Sequence, residues 1–335
     1  MSSGPAIAKS MSDAPASISL GTRIRAHIAI ARVDHWTKNV FILPGLLIPL
    51  VADPSVLNRA FALHFLVGVI AVCLIASSNY VINEVLDAPF DRLHPTKKTR
   101  PTAAGLVYLP AAYAEWIGLM VIGLALAFTV SANFLYVMAA LWGMGCIYNI
   151  PPIRSKDLPY LDVLSEAVNN PLRMLAGWYM LTSTLVPPVS LLISYWMVGC
   201  YFMALKRFSE YRDINNKGTA SAYRKSFQFY SEHSLLTSIT FYASTSMLFF
   251  GAFLVRYRIE LVLAFPLIAW VMAIYYNMAF EKESPVQNPE LLYRHKTLMV
   301  AVVLCSVVMV GLLFVDVPPL VKMFRPTLPI GLNGH

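Results

Sequence analysis

The chain alternates long apolar runs with short polar segments. A helix that crosses a bilayer needs about 20 largely apolar residues, and this criterion predicts nine spans. The predicted spans run approximately over Asn39–Ala52, Ala60–Ile82, Leu109–Val130, Ala132–Tyr148, Leu161–Met180, Leu185–Leu205, Ser234–Val255, Ile259–Phe280 and Thr297–Val315. The first is short unless Trp36 and its neighbours are included, and the fifth is unusually polar. The pattern predicts an all-α membrane protein with nine transmembrane helices.

The composition is that of an integral membrane protein. Of the 335 residues, 57% are hydrophobic and 13% are charged, with a mean hydropathy of +0.60, whereas a soluble domain has about 25% charged residues. The four cysteines lie in apolar runs and predict neither a disulfide framework nor a zinc site; they are Cys73, Cys146, Cys200 and Cys305. We expect a disordered polar tail over residues 1–20, the transmembrane domain over 21–320 and a short C-terminal tail over 321–335.

Basic residues are distributed asymmetrically between the two sides of the predicted spans. Twenty of the 26 Lys and Arg residues fall on the side that holds the amino terminus, and five fall on the opposite side. Because cytoplasmic loops carry the excess of Lys and Arg, we expect the amino terminus and the long polar connections to be cytoplasmic, on the inner face of the cell membrane. The net charge of +8 follows mainly from this topology and from anionic lipid, so no nucleic acid partner is needed.

The connection after the second predicted span combines carboxylates with basic residues. Asn83 and Asp87 are four residues apart, which places both on one face at the helix end. Pro89 bends or ends that helix, so Asp91 is expected to approach from a loop or a short turn. Such oxygen ligands suit Mg²⁺ that bridges to a substrate phosphate. The basic residues that follow are candidates for neutralising phosphate oxygens: His94, Lys97, Lys98 and Arg100.

An ordinary solvated cytoplasmic loop accounts for those basic residues equally well. It does not account for Asn83 and Asp87 at the edge of the membrane. The cluster therefore predicts a site for a metal and a phosphate at the cytoplasmic face.

The connection after the sixth predicted span is the second candidate. Lys206, Glu210 and Asp213 follow i, i+4, i+7 spacing and share a helical face. An exposed salt bridge would be the better explanation of Lys206 and Glu210 if they stood alone, but not beside the first cluster. Further along the chain is a weaker phosphate-binding candidate, formed by Tyr223, Arg224, Lys225 and Ser226.

The fifth predicted span carries polar residues at helical spacing, which are Asp162, Glu166, Asn169 or Asn170, and Arg173. Ionisable residues inside a span are costly and usually line a cavity, a partner helix or a substrate path. An internal network between Glu166 and Arg173 is the structural alternative. Together with the two connections, this helix predicts a polar pocket capped by cytoplasmic loops.

At these residues the chain resembles the UbiA superfamily of intramembrane prenyltransferases. The resemblance implies nine helices around a central cavity, with Asp-rich motifs after helices 2 and 6. The match to the first motif is Asn83-x3-Asp87-x3-Asp91. Within the superfamily the chain is more similar to the decaprenyl-phosphate phosphoribosyltransferase branch. The segments that carry this similarity are Trp36–Asn39, Asp91–Pro101 closing at Ala104 and Gly105, Leu172–Gly177, Lys206–Glu210, Arg224–Ser226, and Pro289 and Glu290 with Arg294.

The sequence departs from the family pattern at two places. Glu84 stands where the first motif usually has Asp, so a ligand position is altered or unused. Asp213 lies at a spacing typical of the second prenyltransferase motif, whereas Lys206 and Glu210 favour the phosphoribosyltransferase branch.

The resemblance implies a Mg²⁺-dependent transferase that moves 5-phosphoribose from phosphoribosyl pyrophosphate (PRPP) to a polyprenyl phosphate and releases pyrophosphate. The expected metal ligands are Asn83, Asp87 and Asp91, and the expected catalytic residues are Asp87, Asp91, Lys206 and Glu210. The expected substrate-binding residues are Lys38, Asn39, His94, Lys97, Lys98, Arg100, Glu166, Arg173, Asp213, Arg224, Lys225 and Arg294.

Two alternatives remain at this point. A prenyltransferase of the same fold would move the polyprenyl group from its diphosphate to an aromatic or lipid acceptor. A transporter of phosphorylated solutes would also use a polar pocket inside the membrane. The transporter predicts charged residues that lead through to the far side, where this chain has few.

Overall fold

The computed structural model describes residues 19–57, 61–92, 97–214, 224–325 and 327. These residues form α-helices joined by 3₁₀ turns and contain no β-strand. The α-helices are α1 Leu20–Ile30, α2 Leu43–Ala52, α3 Phe61–Asp91, α4 Leu109–Val130, α5 Ala132–Asn149, α6 Leu161–Ala167, α7 Asn169–Leu181, α8 Val189–Ile214, α9 Glu232–Tyr257, α10 Phe265–Met278, α11 Lys296–Phe314 and α12 Pro318–Met323. The last helix crosses the expected start of the C-terminal tail at residue 321.

The predicted all-α membrane fold is confirmed. In the described part of the chain, six helical segments are long and apolar enough to cross a bilayer. They are Phe61–Asp91, Leu109–Val130, Val189–Ile214, Glu232–Tyr257, Ile259–Met278 and Lys296–Phe314. The protein is therefore a multi-pass membrane protein.

The other three predicted spans differ from uniform membrane helices, so the number of nine spans stays a prediction. The first consists of a 3₁₀ segment, Val33–Ile42, followed by the ten-residue α2. The fourth is α5, which carries Asn residues near both of its ends. The fifth is broken at Val168 between α6 and α7. Pro171 in the first turn of α7 has no N–H to donate to the preceding turn, which accounts for the break.

Two large apolar cores lie on either side of this broken helix. The first core joins α2, α3, α4, α5 and α7 around Phe134, Met138 and Met180. The second joins α6, α8, α9, α10 and α11 around Tyr201 and Phe208. Since α6 belongs to the second core and α7 to the first, the polar residues between them lie at the centre of the molecule.

Two glycines allow α7 to pack against α2 and the 3₁₀ segment before it. A Cβ atom on Gly45 would lie 1.8 Å from the carbonyl oxygen of Met174, and one on Gly177 would lie 2.1 Å from that of Ile42. Both obstacles are backbone atoms, so the neighbouring helix would have to move as a whole. This close approach holds Asn39 and Arg173, which lie near the contact, next to each other.

Replacing Gly177 with Ala should lower the melting temperature, because the added methyl group overlaps the Ile42 backbone. Overpacking of this kind costs about 1–3 kcal/mol. Thermal unfolding in detergent, followed by tryptophan fluorescence, measures the effect. Gly143→Ala in α5 is the matched control, since nothing lies within 4 Å of its added Cβ. Equal melting temperatures for the two variants would contradict the close packing.

Candidate active site

Buried polar side chains gather where α3, the α5–α6 connection, α6, α8 and the segment 224–230 meet. They form two clusters. The first is built around Asp87 on α3, and the second around Arg207 on α8. Each cluster pairs carboxylates with cations that come from distant parts of the sequence.

In the first cluster, Asp87 accepts hydrogen bonds from two cations. Nζ of Lys156 lies 2.6 Å from Oδ1 of Asp87, and Nη2 of Arg154 lies 2.9 Å from the same oxygen. Both cations belong to the short connection after α5, where Asp157 holds Arg154 through a 3.1 Å contact. Two basic side chains therefore lie directly beside the predicted metal ligand.

Asn83 lies one turn before Asp87 and faces the same group. Its amide nitrogen donates to Oδ1 of Asn149 over 2.5 Å, and Lys156 donates to that same oxygen over 2.8 Å. The structure thus brings Asn83, Asp87 and Lys156 together. The carbonyl oxygen of Asn83 is not used in this bond and remains an acceptor of the type that Mg²⁺ binds.

Asp91 and Glu84 lie on a neighbouring face of α3, because a helix turns about 100° per residue. Asp91 is buried and pairs with Arg100 at 2.7 Å. Glu84 is also buried and accepts from the backbone and the hydroxyl of Thr102 at 3.3 and 3.4 Å. Glu84 therefore anchors the connection after α3.

The oxygen donors fit a metal that also binds a phosphorylated ligand. No group of three or more His, Cys, Asp or Glu side chains converges within the described parts of the chain. Asn83 and Asp87 supply one amide and one carboxylate, and Mg²⁺ commonly binds one or two carboxylates, waters and substrate phosphates. The protein could thus hold Mg²⁺ at these residues only as part of a complex with such a ligand.

The second cluster surrounds one buried guanidinium. Nη2 of Arg207 lies 2.8 Å from Glu166, and its Nη1 lies 3.0 Å from Glu210. Its Nε lies 3.2 Å from Asp162, whose side chain is fully buried. Glu166 also accepts from the hydroxyl of Tyr148 over 2.8 Å. Arg207 therefore holds carboxylates of α6 and α8 in fixed positions.

Asp162 also holds the segment that returns after α8. It accepts from the hydroxyl groups of Tyr230 at 2.7 Å and Ser226 at 3.2 Å. Nη1 of Arg224 lies 3.5 Å from its carboxylate. The charge of Arg224 also acts on Asp87 and Glu210. Arg224 therefore lies between the two clusters and interacts with both.

Two lysines of the connections titrate close to neutral pH. Burial lowers the pKa of Lys97 to about 8, although the nearby carboxylate of Glu210 opposes the shift. Burial likewise lowers the pKa of Lys156 to about 8, opposed by Asp87. An anionic ligand would favour the charged form of both lysines.

Arg173 and Asn39 form a third, deeper contact. Nε of Arg173 donates to Oδ1 of Asn39 over 3.1 Å, and Glu166 bonds to Arg207 and not to Arg173. Glu166 and Arg173 therefore do not form the internal network that was the structural alternative in the sequence. Lys206 lies nearer to the second cluster, where its charge acts on Glu210 and Glu166.

Other predicted site residues lie at the edge of these contacts or away from them. Asp213 is exposed and accepts from Gln287, and Arg294 is exposed and donates to its neighbour Tyr293. Lys98 is exposed, and Lys225 is exposed beside Asp157 at 3.5 Å. His94 lies outside the described residues.

Sequence reasoning missed the cations that the structure places on Asp87. Arg154 and Lys156 follow Pro151 and Pro152, and the sequence distinguishes them only as two of the twenty basic residues on the amino-terminal side. Arg207 was seen as part of a motif but not as its centre. Two basic residues directly after a proline pair, on the side of the membrane that is rich in Lys and Arg, are the sequence signal that could have identified the first two.

Comparison with known proteins places the chain in one family. The UbiA prenyltransferase family matches residues 40–299. Decaprenyl-phosphate phosphoribosyltransferase of Mycolicibacterium smegmatis is 30% identical over 228 residues, which are 67% of this chain and 68% of that protein. The protein of the same name from Corynebacterium glutamicum is 27% identical over 217 residues, 61% of this chain and 59% of that protein.

A solved structure agrees with the fold. A UbiA homolog from Archaeoglobus fulgidus, bound to DMAPP and Mg²⁺, matches 89% of this chain and 99% of its own with a TM-score of 0.66. The identity is 18%, so this likeness concerns the fold alone. Because the members of this family are transferases, the transporter alternative has no support. The chain belongs to the UbiA prenyltransferase family and is an intramembrane transferase.

Proposed function

We propose that this protein transfers 5-phosphoribose from PRPP to a polyprenyl phosphate, with Mg²⁺ as cofactor and pyrophosphate as the leaving group. The site would face the cytoplasm from the inner membrane, as the distribution of basic residues indicates. The phosphoribosyltransferases that resemble the chain support this proposal. The observation that carries it is the unequal chemistry of the two clusters.

The first cluster suits a diphosphate. Lys156 and Arg154 lie on Asp87, and Lys97 and Arg100 follow on the adjoining connection. Ammonium and guanidinium groups form short, charge-assisted hydrogen bonds to phosphate oxygens. Asn83 and Asp87 would hold Mg²⁺ on the same side, and the ion, when bound, would supply positive charge against the developing charge of pyrophosphate.

The second cluster suits a hydroxylated substrate. Glu166 keeps 33% of its side chain exposed and Glu210 keeps 10%, and Arg207 fixes both carboxylates. Carboxylates in fixed positions accept hydrogen bonds from ribose hydroxyl groups. A prenyl diphosphate has no hydroxyl group for them. PRPP offers both a pyrophosphate and hydroxyl groups, so it matches the two clusters together.

Arg173 suits the phosphate of the lipid acceptor. Its hydrogen bonds go to the neutral groups of Asn39 and Asn169, and no carboxylate of the described residues pairs with it. Its charge acts on Cys73 and Tyr80 of α3, which precede Asn83 and lie deeper in the helix. A cation inside an apolar span is stabilised by an anionic partner.

The reaction needs no strong general base. An oxygen of the lipid phosphate, already anionic, attacks C1 of the ribose, and the C1–O bond to pyrophosphate breaks. The pair of electrons of that bond leaves with pyrophosphate, whose charge Lys156, Arg154 and Lys97 would stabilise. Glu166 and Glu210 would position the ribose for this displacement.

A prenyltransferase is the second candidate, because structural neighbours are bound to DMAPP and to GPP with Mg²⁺. The first cluster would serve that reaction equally well, since it also expels pyrophosphate. Asp213, the residue that would favour this candidate, is exposed and bonds to Gln287.

The affinity for pyrophosphate should fall as the pH rises through about 8. Above the lowered pKa of Lys97 and Lys156, their neutral forms lose the charge-assisted contact. Calorimetric titration with pyrophosphate and Mg²⁺ at several pH values measures this. In the double variant Lys97→Arg, Lys156→Arg, the guanidinium groups stay charged, so affinity should persist to higher pH. Identical profiles for the two proteins would refute the assignment.

Replacing Asp87 with Asn should lower kcat/KM by about 100-fold or more, which is about 2.7 kcal/mol of transition-state stabilisation. The reason is the loss of the carboxylate that holds both the metal and the two cations. Initial rates of the purified variant measure the effect, with size-exclusion chromatography as the check on folding. Asp53→Asn is the control, because among the described residues the side chain of Asp53 accepts hydrogen bonds only from Ser55. Near-normal turnover of the Asp87 variant would exclude the metal-site assignment.

A substrate assay tests the proposed reaction itself. Purified protein with Mg²⁺ receives labelled PRPP and polyprenyl phosphate in one reaction, and labelled polyprenyl diphosphate with 4-hydroxybenzoate in the other. We expect a new labelled lipid in the first reaction and release of pyrophosphate. Product in the second reaction alone would establish the prenyltransferase instead.

A further inference from the structure

The carboxylates of α6 and α8 enclose a space that a side chain of the protein already fills. Each of the three guanidinium nitrogens of Arg207 contacts a different carboxylate, at 3.2 Å from Asp162, 2.8 Å from Glu166 and 3.0 Å from Glu210. Only 2% of the Arg207 side chain is exposed. The guanidinium thus holds three acidic side chains apart around itself, and in the described residues they do not converge as a metal site.

The charges of this cluster are balanced. The three carboxylates are matched by Arg207, by Arg224 at 3.5 Å from Asp162, and by Lys206, whose charge acts on Glu166 and Glu210. A divalent ion added here would bring two uncompensated charges into a buried site of low dielectric constant. Binding of such an ion would also require Arg207 to leave all three of its partners.

The first cluster is different because its cations can change partners. Arg154 and Lys156 lie on a short connection and contact one oxygen of Asp87, whose side chain is 22% exposed. Phosphate oxygens of a ligand can take over these two cations and free the carboxylate. Only 2% of the Arg207 side chain is exposed and all three of its guanidinium nitrogens are paired, so a ligand phosphate cannot take it over in the same way.

We propose that Arg207 is a built-in cation that excludes a divalent metal from the second cluster, so that the catalytic metal binds only beside Asp87. The part concerning Asp87 rests on the function proposed above. Arg207 is then a positioning residue that fixes Glu166 and Glu210 as hydrogen-bond acceptors for substrate. In this proposal the metal is needed at the first cluster, which binds the diphosphate, and not at the second cluster, which binds the hydroxyl groups.

Counting bound Mn²⁺ tests this proposal without any measurement of activity. The full chain in detergent is titrated with Mn²⁺ in the presence of saturating inorganic pyrophosphate, and the ion bound per chain is counted by equilibrium dialysis against the same solution. We expect no more than one bound Mn²⁺ per chain. Glu210→Gln should change the affinity of this ion by less than about threefold, whereas Asp87→Asn should abolish its binding. Two bound ions, or a site that Glu210→Gln removes, would overturn the proposal.

The variant Arg207→Met tests the cause of the exclusion. With the guanidinium gone, the three carboxylates should gain a Mn²⁺ site, and adding Glu210→Gln should remove it again. A folded Arg207→Met protein without the new site would show that Arg207 is not what excludes the metal. If this variant does not fold, the titrations of the unchanged protein and of Glu210→Gln still decide whether a metal ion binds in the second cluster.

The two proposals can fail separately. Absence of phosphoribosyl transfer in the substrate assay would refute the proposed function and leave the Mn²⁺ count of the second cluster unaffected. Two metal ions in a protein that does transfer phosphoribose would refute only the role given to Arg207.

Discussion

The active centre depends on the burial of one guanidinium among three carboxylates. Arg207 draws together α6 and α8, and Asp162 extends the same network to the segment that ends at Tyr230. Removing one partner of a buried ion pair costs about 3–5 kcal/mol, because the remaining charge stays buried without compensation. The network is therefore stable only when it is complete, and this makes the positions of its carboxylates well defined.

The break between α6 and α7 makes this network possible in a membrane protein. Charged groups in a uniform lipid-facing helix would be costly, but the broken helix lies between two apolar cores, where its polar residues find partners. Asp162 and Glu166 on α6 face Arg207, while Arg173 on α7 faces Asn39. One interrupted helix thus supplies both a carboxylate cluster and an isolated cation to the same interior.

The first motif could be predicted from sequence to a large extent. The spacing of Asn83 and Asp87 placed both on one helix face, and the structure brings them to the same group of contacts. The partners of Asp87 could not be predicted, because Arg154 and Lys156 lie 67 and 69 residues away in the chain. No local periodicity links residues at that separation. Asp213 shows the converse case, since helical spacing placed it with Glu210 but the structure leaves it exposed.

The sequence by itself determined the all-helical membrane fold and the position of the first motif, because hydrophobic run length and helical spacing are local properties of the chain. Its motifs, by their resemblance, indicated the family. Only the tertiary structure decided which charges neutralise one another. Arg207 became the centre of a carboxylate cluster, Glu84 became an anchor for Thr102, and Arg173 was left with neutral partners. Ion pairing inside a protein depends on distance and burial in three dimensions, and neither is encoded in the spacing of one segment.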